Sequence, residues 1–406
     1  MNQDKSYTVF FLRNIFALLL LFAISPVVSG GSLLNERTYK RLAQIHKLIE
    51  KNDYSKALSH LDKLMEQAGN RNYDKAVIQQ TYGFVYEAMN RPNMAITSFN
   101  NSLSYEALPI AAAQGVRINL ASLYFAIGKT KESLEYFEKW IGIENKPAAD
   151  VLVFGGSLYA ENGDYDKAVL YINRAINISK EPKESWYQRI AAIYIKMEDY
   201  TKAAKILSIL IEKYPNKALY WKQLSACYYY SGDEKKSVSV LVLANQKKLL
   251  QSEKEQVDLA KLLASQNTPF QASKILVEGL QNGVINKNAK NMELLAQIYM
   301  QAQERDRAIQ AFLDAASISE NPEIYIKVAN IYSDSHQWDK VLAILDKHLP
   351  ATPKLHARGL ILKGIALYET GKIEASRKVF QQVSSQQENA KLAASWLEYL
   401  RLVPTP

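Results

Sequence analysis

Little in this 406-residue chain can carry covalent, redox or metal chemistry. Its single cysteine, Cys227, excludes an intramolecular disulfide, and its place inside a helical pattern points to a buried small side chain rather than a reactive thiol. There are five histidines, His46, His60, His336, His348 and His356. None has a second ligand three or four residues away, and no HExxH or Cys/His cluster exists, so no metal site is expected. The chain lacks a phosphate-binding P-loop, a GxGxxG following a strand and a GxSxG elbow. Gly155 and Gly156 fall within a helical pattern, where glycine serves close packing. Glu135 and Glu138 stand three apart on an exposed helix face and read as solvated rather than catalytic. Glycine and proline are scarce, at 16 and 12 residues, while 48% of residues are apolar, which fits an ordered helical protein. These absences argue for a protein that is not an enzyme, uses no cofactor and takes no small-molecule substrate.

The formal net charge is +9. Most of the lysines neighbour Glu or Asp at helical spacing, which describes a solvated surface, and no DNA- or RNA-binding signature is present. The N-terminus is a separate case. Lys5 and Arg13 precede an apolar run, Phe16–Ile24, which a Ser25-Pro26 break follows. Val28 and Gly30 then suit cleavage before Gly31, the layout of a secretory signal peptide over residues 1–30. An uncleaved anchor starting near Val9 is the alternative. Either form places the rest of the chain outside the cytoplasm, and a periplasmic location is expected.

What the chain does have is repetition. Between Lys183 and Pro215, Trp186 and Tyr187 are followed by Ile190, Ala191, Tyr194, Tyr200, Ala203 and Leu207. This order of large and small residues follows the tetratricopeptide repeat (TPR), W-x2-L-G-x2-Y, then A-x3-F, then P. Ala191 and Ala203 are small where helix A must cross helix B. Asp199 and Tyr200 make the turn, and Pro215 stops helix B. In the same frame the helix-A crossing falls on Ile45, Gly83, Ala121, Gly156, Ala191, Ser225, Ala260, Ala296, Ala329 and Gly364, at steps of 33 to 38 residues. Sixteen residues after each comes a large apolar plug, such as Phe99 after Gly83 and Ile172 after Gly156. The expected fold is therefore all-α, a right-handed α-solenoid superhelix of about ten TPR hairpins over residues 31–385. Residues 386–406 supply a capping helix, Asn389–Leu402, with Leu392, Trp396 and Leu400 at helical spacing, and a short tail.

Such a stack lines its concave surface with the A helices, a surface suited to extended peptides or partner helices. The inward positions in this frame include Phe84, Ile118, Phe125, Gln188, Lys222, Tyr229, Tyr230, Lys261, Gln297 and Asn330, the candidate partner-binding residues. The Lys/Asn pair that clamps chaperone tails in some TPR proteins is not reproduced, because Ala226 stands where Lys222 would need its Asn partner.

Several stretches outside the repeat consensus resemble one bacterial family. They are Pro182–Tyr187, Tyr220–Ser225, Pro269–Leu280, Asn288–Ala296 and Ala390–Leu400. Together they are similar to an exported TPR protein of Gram-negative bacteria identified as a component of the TonB system. The likeness covers most of the chain beyond the leader, best from about residue 180 onward. It implies a periplasmic accessory to TonB, ExbB and ExbD, which drive outer-membrane uptake of ferric siderophores and similar ligands. Periplasmic segments of TonB or ExbD would be the partners, and inner-membrane association would come through that complex. A scaffold for cell-wall, outer-membrane or polysaccharide-export assembly, or a regulatory subunit of an envelope enzyme, is the alternative.

Overall fold

The computed structural model describes residues 34–384 and 389–402. The leader over residues 1–30 and the tail prolines Pro404 and Pro406 lie outside them. The described residues are helical throughout, with no strand among them. Five hairpins open the chain, and each pairs an A helix with a B helix. The first two are α1 (Glu36–Glu50) with α2 (Tyr54–Ala68), and α3 (Asn72–Ala88) with α4 (Pro92–Ser104). The next are α5 (Ile110–Ala126) with α6 (Thr130–Ile141), then α7 (Ala149–Glu161) with α8 (Tyr165–Ile178). The fifth is α9 (Glu184–Lys196) with α10 (Tyr200–Lys213).

Five more hairpins follow. They begin with α11 (Ala218–Tyr230) and α12 (Glu234–Gln246), then α13 (Glu253–Ser265) and α14 (Pro269–Gln281). The remainder are α15 (Ala289–Gln301) with α16 (Arg305–Ser319), α17 (Pro322–Asp334) with α18 (Trp338–His348), and α19 (Pro353–Glu369) with α20 (Ile373–Ser384). A last helix, α21 (Ala390–Leu402), closes the chain. Two compact units divide it, one ending at Leu210 and the other beginning at Ile211. Each is a stack of TPR hairpins.

Each hairpin is held by the small-residue crossing. A Cβ added at Gly83 would meet the Phe99 ring at 2.4 Å, and one at Gly364 would meet Phe380 at 2.6 Å. At Gly156 it would meet Ile172 at 2.6 Å and the Ala168 carbonyl at 2.9 Å. The plug of helix B therefore occupies the space that a side chain on helix A would need, so the backbones approach closely. The first hairpin departs from this rule. Ile45 stands at its crossing and is fully buried among Leu42, Leu61 and Leu64.

Seven residues after each crossing, the chain turns through a left-handed residue, which ends helix A so that helix B can fold back. Asn52, Asn90 and Asn267 adopt it readily, as do Gly128, Gly163, Gly232 and Gly371. Glu198, Gln303 and His336 adopt it against the preference of their side chains. In hairpins four to six a second device recurs. Asp164, Asp199 and Asp233 accept hydrogen bonds from the backbone N–H groups of Lys167, Lys202 and Lys236 at 3.2, 3.0 and 3.0 Å. The same lysines pair with those carboxylates and lie over Tyr159, Tyr194 and Tyr228 at 5.1, 5.6 and 5.6 Å from the ring centroids. One lysine thus ties the turn to both helices of its hairpin, through a charge-assisted hydrogen bond and a cation–π contact.

Neighbouring hairpins within each unit bury what one hairpin leaves exposed. In the first unit Phe137 of α6 packs edge-on against Phe154 of α7, while within single hairpins Tyr124 stacks on Tyr136 and Tyr159 on Tyr171. The buried carboxylate of Asp74 accepts from Thr38 Oγ1 at 2.8 Å, from the Asn35 amide at 3.2 Å and from Arg71 Nε at 2.6 Å. It anchors the inward face of α1 to the second hairpin. In the second unit α21 covers the last hairpin. Trp396 stacks on Phe380 with ring centroids 5.4 Å apart, Ala393 and Leu400 are fully buried, and Tyr399 shares a 2.9 Å hydrogen bond with Tyr368.

Candidate functional site

Four of the ten candidate residues lie in the first unit, and two of those belong to its core. Ile118 is 4% exposed and Phe125 5%, and Phe125 packs edge-on against Phe154. Neither can meet a partner on an open face. Both stand where single-hairpin geometry points inward, but the next hairpin covers that position. Phe84 is half-buried with its ring edge against Phe99, 5.2 Å away. Gln188 is exposed on α9, with its amide 3.5 Å from Glu184.

The other six lie on A helices of the second unit: Lys222, Tyr229 and Tyr230 on α11, Lys261 on α13, Gln297 on α15 and Asn330 on α17. Tyr229 and Tyr230, at the end of α11, are 53% and 65% exposed and meet edge to face at 5.6 Å. Leu219, one helix length earlier on α11, is 56% exposed. Sequence reading passed over it, although its spacing from Lys222 was a usable signal. Lys261 and Gln297 are exposed and Asn330 is half-buried. These three hold the same repeat position on α13, α15 and α17, one residue beyond the crossing.

Polar ties between successive A helices hold this face in register. Lys222 Nζ pairs with Glu255 at 2.7 Å, linking α11 to α13. Asn291 donates to Glu253 at 2.7 Å, linking α15 to α13, and Lys327 pairs with Glu293 at 3.0 Å, linking α17 to α15. Glu255 also closes the capping box of α13 with Ser252. The hydrogen bond from Lys222, joined by that from Ser252, pulls the Glu255 carboxyl down to about 2. Lys222 is therefore ion-paired, and the exposed groups of these helices include the Tyr229 and Tyr230 rings, the Gln297 amide, Lys261 and the Lys254–Asp258 ion pair. Such a surface can pack apolar or prolyl groups against two tyrosine rings and offer amide groups to an extended backbone.

Other reactive groups are silenced. Cys227 is buried and desolvation raises its thiol pKa. His348 stacks on Tyr325 at 3.8 Å beside an open recess of about 360 Å³, and burial lowers its pKa. Among the described residues no three His, Cys, Asp or Glu side chains come together as a metal site would need, and no helix is long and apolar enough to cross a membrane.

Comparison with known proteins agrees with this architecture. Tetratricopeptide-repeat family models match residues 115–147, 149–182, 187–217 and 289–322. No curated protein matches the chain. Among solved structures, a tetratricopeptide repeat protein from Parabacteroides merdae aligns at 15% identity and TM-score 0.39, over 73% of this chain and 99% of its own. MamA aligns at 16% identity and TM-score 0.36, over 44% of this chain and 96% of its own. YrrB, described as a TPR protein with an unusual peptide-binding site, aligns at 16% identity and TM-score 0.37, over 45% of this chain and 88% of its own. The fold is that of a TPR solenoid, an architecture typically used as a non-catalytic scaffold for protein–protein interaction.

Proposed function

We propose that this chain is a periplasmic scaffold of the TonB–ExbB–ExbD system, and that the A-helix face of its second unit holds an extended segment of TonB or ExbD. The observation that carries the binding mode is the Tyr229–Tyr230 pair, exposed at the end of α11 with its rings meeting edge to face. Two adjacent exposed aromatics hold apolar surface in contact with water in the free protein, and a partner packed on them would bury it. The Pro-rich periplasmic linker of TonB suits such a face, because a polyproline helix is already extended and loses little entropy on docking. The assignment to this system rests on the resemblance of the stretches at Pro182–Tyr187, Tyr220–Ser225, Pro269–Leu280, Asn288–Ala296 and Ala390–Leu400.

A photo-crosslinker placed at Tyr229 in cells should capture TonB or ExbD, and Tyr229→Ala with Tyr230→Ala should abolish co-purification while leaving the helical content unchanged. Recovery of neither protein from envelope fractions, together with parental ferric-siderophore uptake in a deletion strain, would refute the proposal.

A further inference from the structure

Five basic residues between positions 37 and 51 share one exposed side of the first helix. On α1, Arg37, Lys40, Arg41 and Lys47 are exposed, as is Lys51 just after its end. At offsets of three, four, ten and fourteen residues from Arg37, with Gln44 at seven, they align along one side of the helix. Thr38, Leu42 and Ile45 face the core, and the Thr38–Asp74 hydrogen bond holds that orientation. The two acids of the helix, Glu36 and Glu50, flank the stripe instead of lying within it. Some exposed lysines elsewhere sit against an acid of their own helix or turn, as Lys56 does with Asp53 and Lys139 with Glu135. In the stripe only Lys40 is paired, to Glu36 at 2.6 Å; among the described residues Arg37, Arg41, Lys47 and Lys51 have no ion-pair partner.

We infer that this face of α1 docks on an anionic phospholipid surface. A lipid headgroup plane offers many phosphates in two dimensions, which suits a row of five exposed cations along one helix. Eleven residues separate the chain's apolar run, Phe16–Ile24, from Glu36. Those residues reach at most about 40 Å when extended. A chain that keeps this run in a bilayer therefore holds α1 within reach of the headgroups. The contact is direct and independent of the partner-binding face on the second unit.

The test uses protein purified from cells expressing the full chain, mixed with vesicles of phosphatidylcholine alone or with about one-fifth phosphatidylglycerol. Binding should be tighter to the anionic vesicles and should fade as added salt shortens the Debye length from about 10 to about 3 Å. The triple variant Arg37→Gln, Arg41→Gln, Lys47→Gln should lose roughly 100-fold of the anionic binding, at about tenfold or less per basic residue near the surface. The variant Arg37→Lys, Arg41→Lys should keep most of it. Equal binding to both vesicle types, as apolar insertion alone would give, would overturn the inference. So would an unchanged triple variant with intact helical content, or binding to a DNA duplex as tight as to the vesicles.

Discussion

Replacing Gly156 by alanine adds one methyl group at a place where the fold leaves no room for it. The new Cβ would stand 2.6 Å from Cγ1 of Ile172 and 2.9 Å from the carbonyl oxygen of Ala168, against ordinary contacts that begin near 3.4 Å. Ile172 and Ala168 are both fully buried. The first clash could be eased by a rotamer change, but the second is with backbone. It can be relieved only by moving α7 about half an ångström from α8, since 3.4 minus 2.9 is 0.5. Overpacking of this kind costs about 1–3 kcal/mol. Alanine recovers up to about 1 kcal/mol over glycine within a helix. The net expectation is a loss of up to about 2 kcal/mol.

Gly115 supplies the control, because it lies inside α5 with nothing within 4 Å of the position a Cβ would take. There the same substitution should stabilise by about 0.5–1 kcal/mol. Urea denaturation followed by far-UV circular dichroism, read as midpoint shifts at constant slope, compares the two variants directly. They should move in opposite directions. A Gly156→Ala protein as stable as the Gly115→Ala protein would show that the crossing does not depend on close backbone approach.

Two further expectations follow from local geometry. Gln303 turns the eighth hairpin with φ of 60°, so Gln303→Gly should raise stability by about 0.5–1 kcal/mol in the same urea assay, and a loss would refute the strain. Glu255 titrates near 2 in the folded chain instead of 4.5, so its stabilising contribution is complete above about pH 4.5 and is lost as pH falls toward 2. Glu255→Gln should therefore flatten the acid side of the stability–pH curve across that window, and an unchanged curve would refute the Lys222 pairing.

Much of the fold was legible because its determinants are local. A small residue, a left-handed turn seven residues on and a plug sixteen residues on all belong to one hairpin, as Gly83, Asn90 and Phe99 illustrate. The Asp–Lys–Tyr staple is equally readable from its spacing, a tyrosine, an acid five residues later and a lysine three beyond that. The candidate site was less legible. Ile118 and Phe125 have the helical phase of groove residues, but the neighbouring hairpin buries them, and residue phase alone does not report what the next hairpin covers.

From sequence alone came the all-helical class, the ten hairpins and their crossing points, since the TPR code operates within about 34 residues. Tertiary structure decided which of the lysines are paired. It joined Lys222 to Glu255 and Glu293 to Lys327 across separate hairpins, and it left Arg37, Arg41, Lys47 and Lys51 without an acid among the described residues. The physical reason is distance. An ion pair needs about 4 Å between its charges, and residues more than thirty positions apart in the chain reach that separation only once the hairpins have stacked.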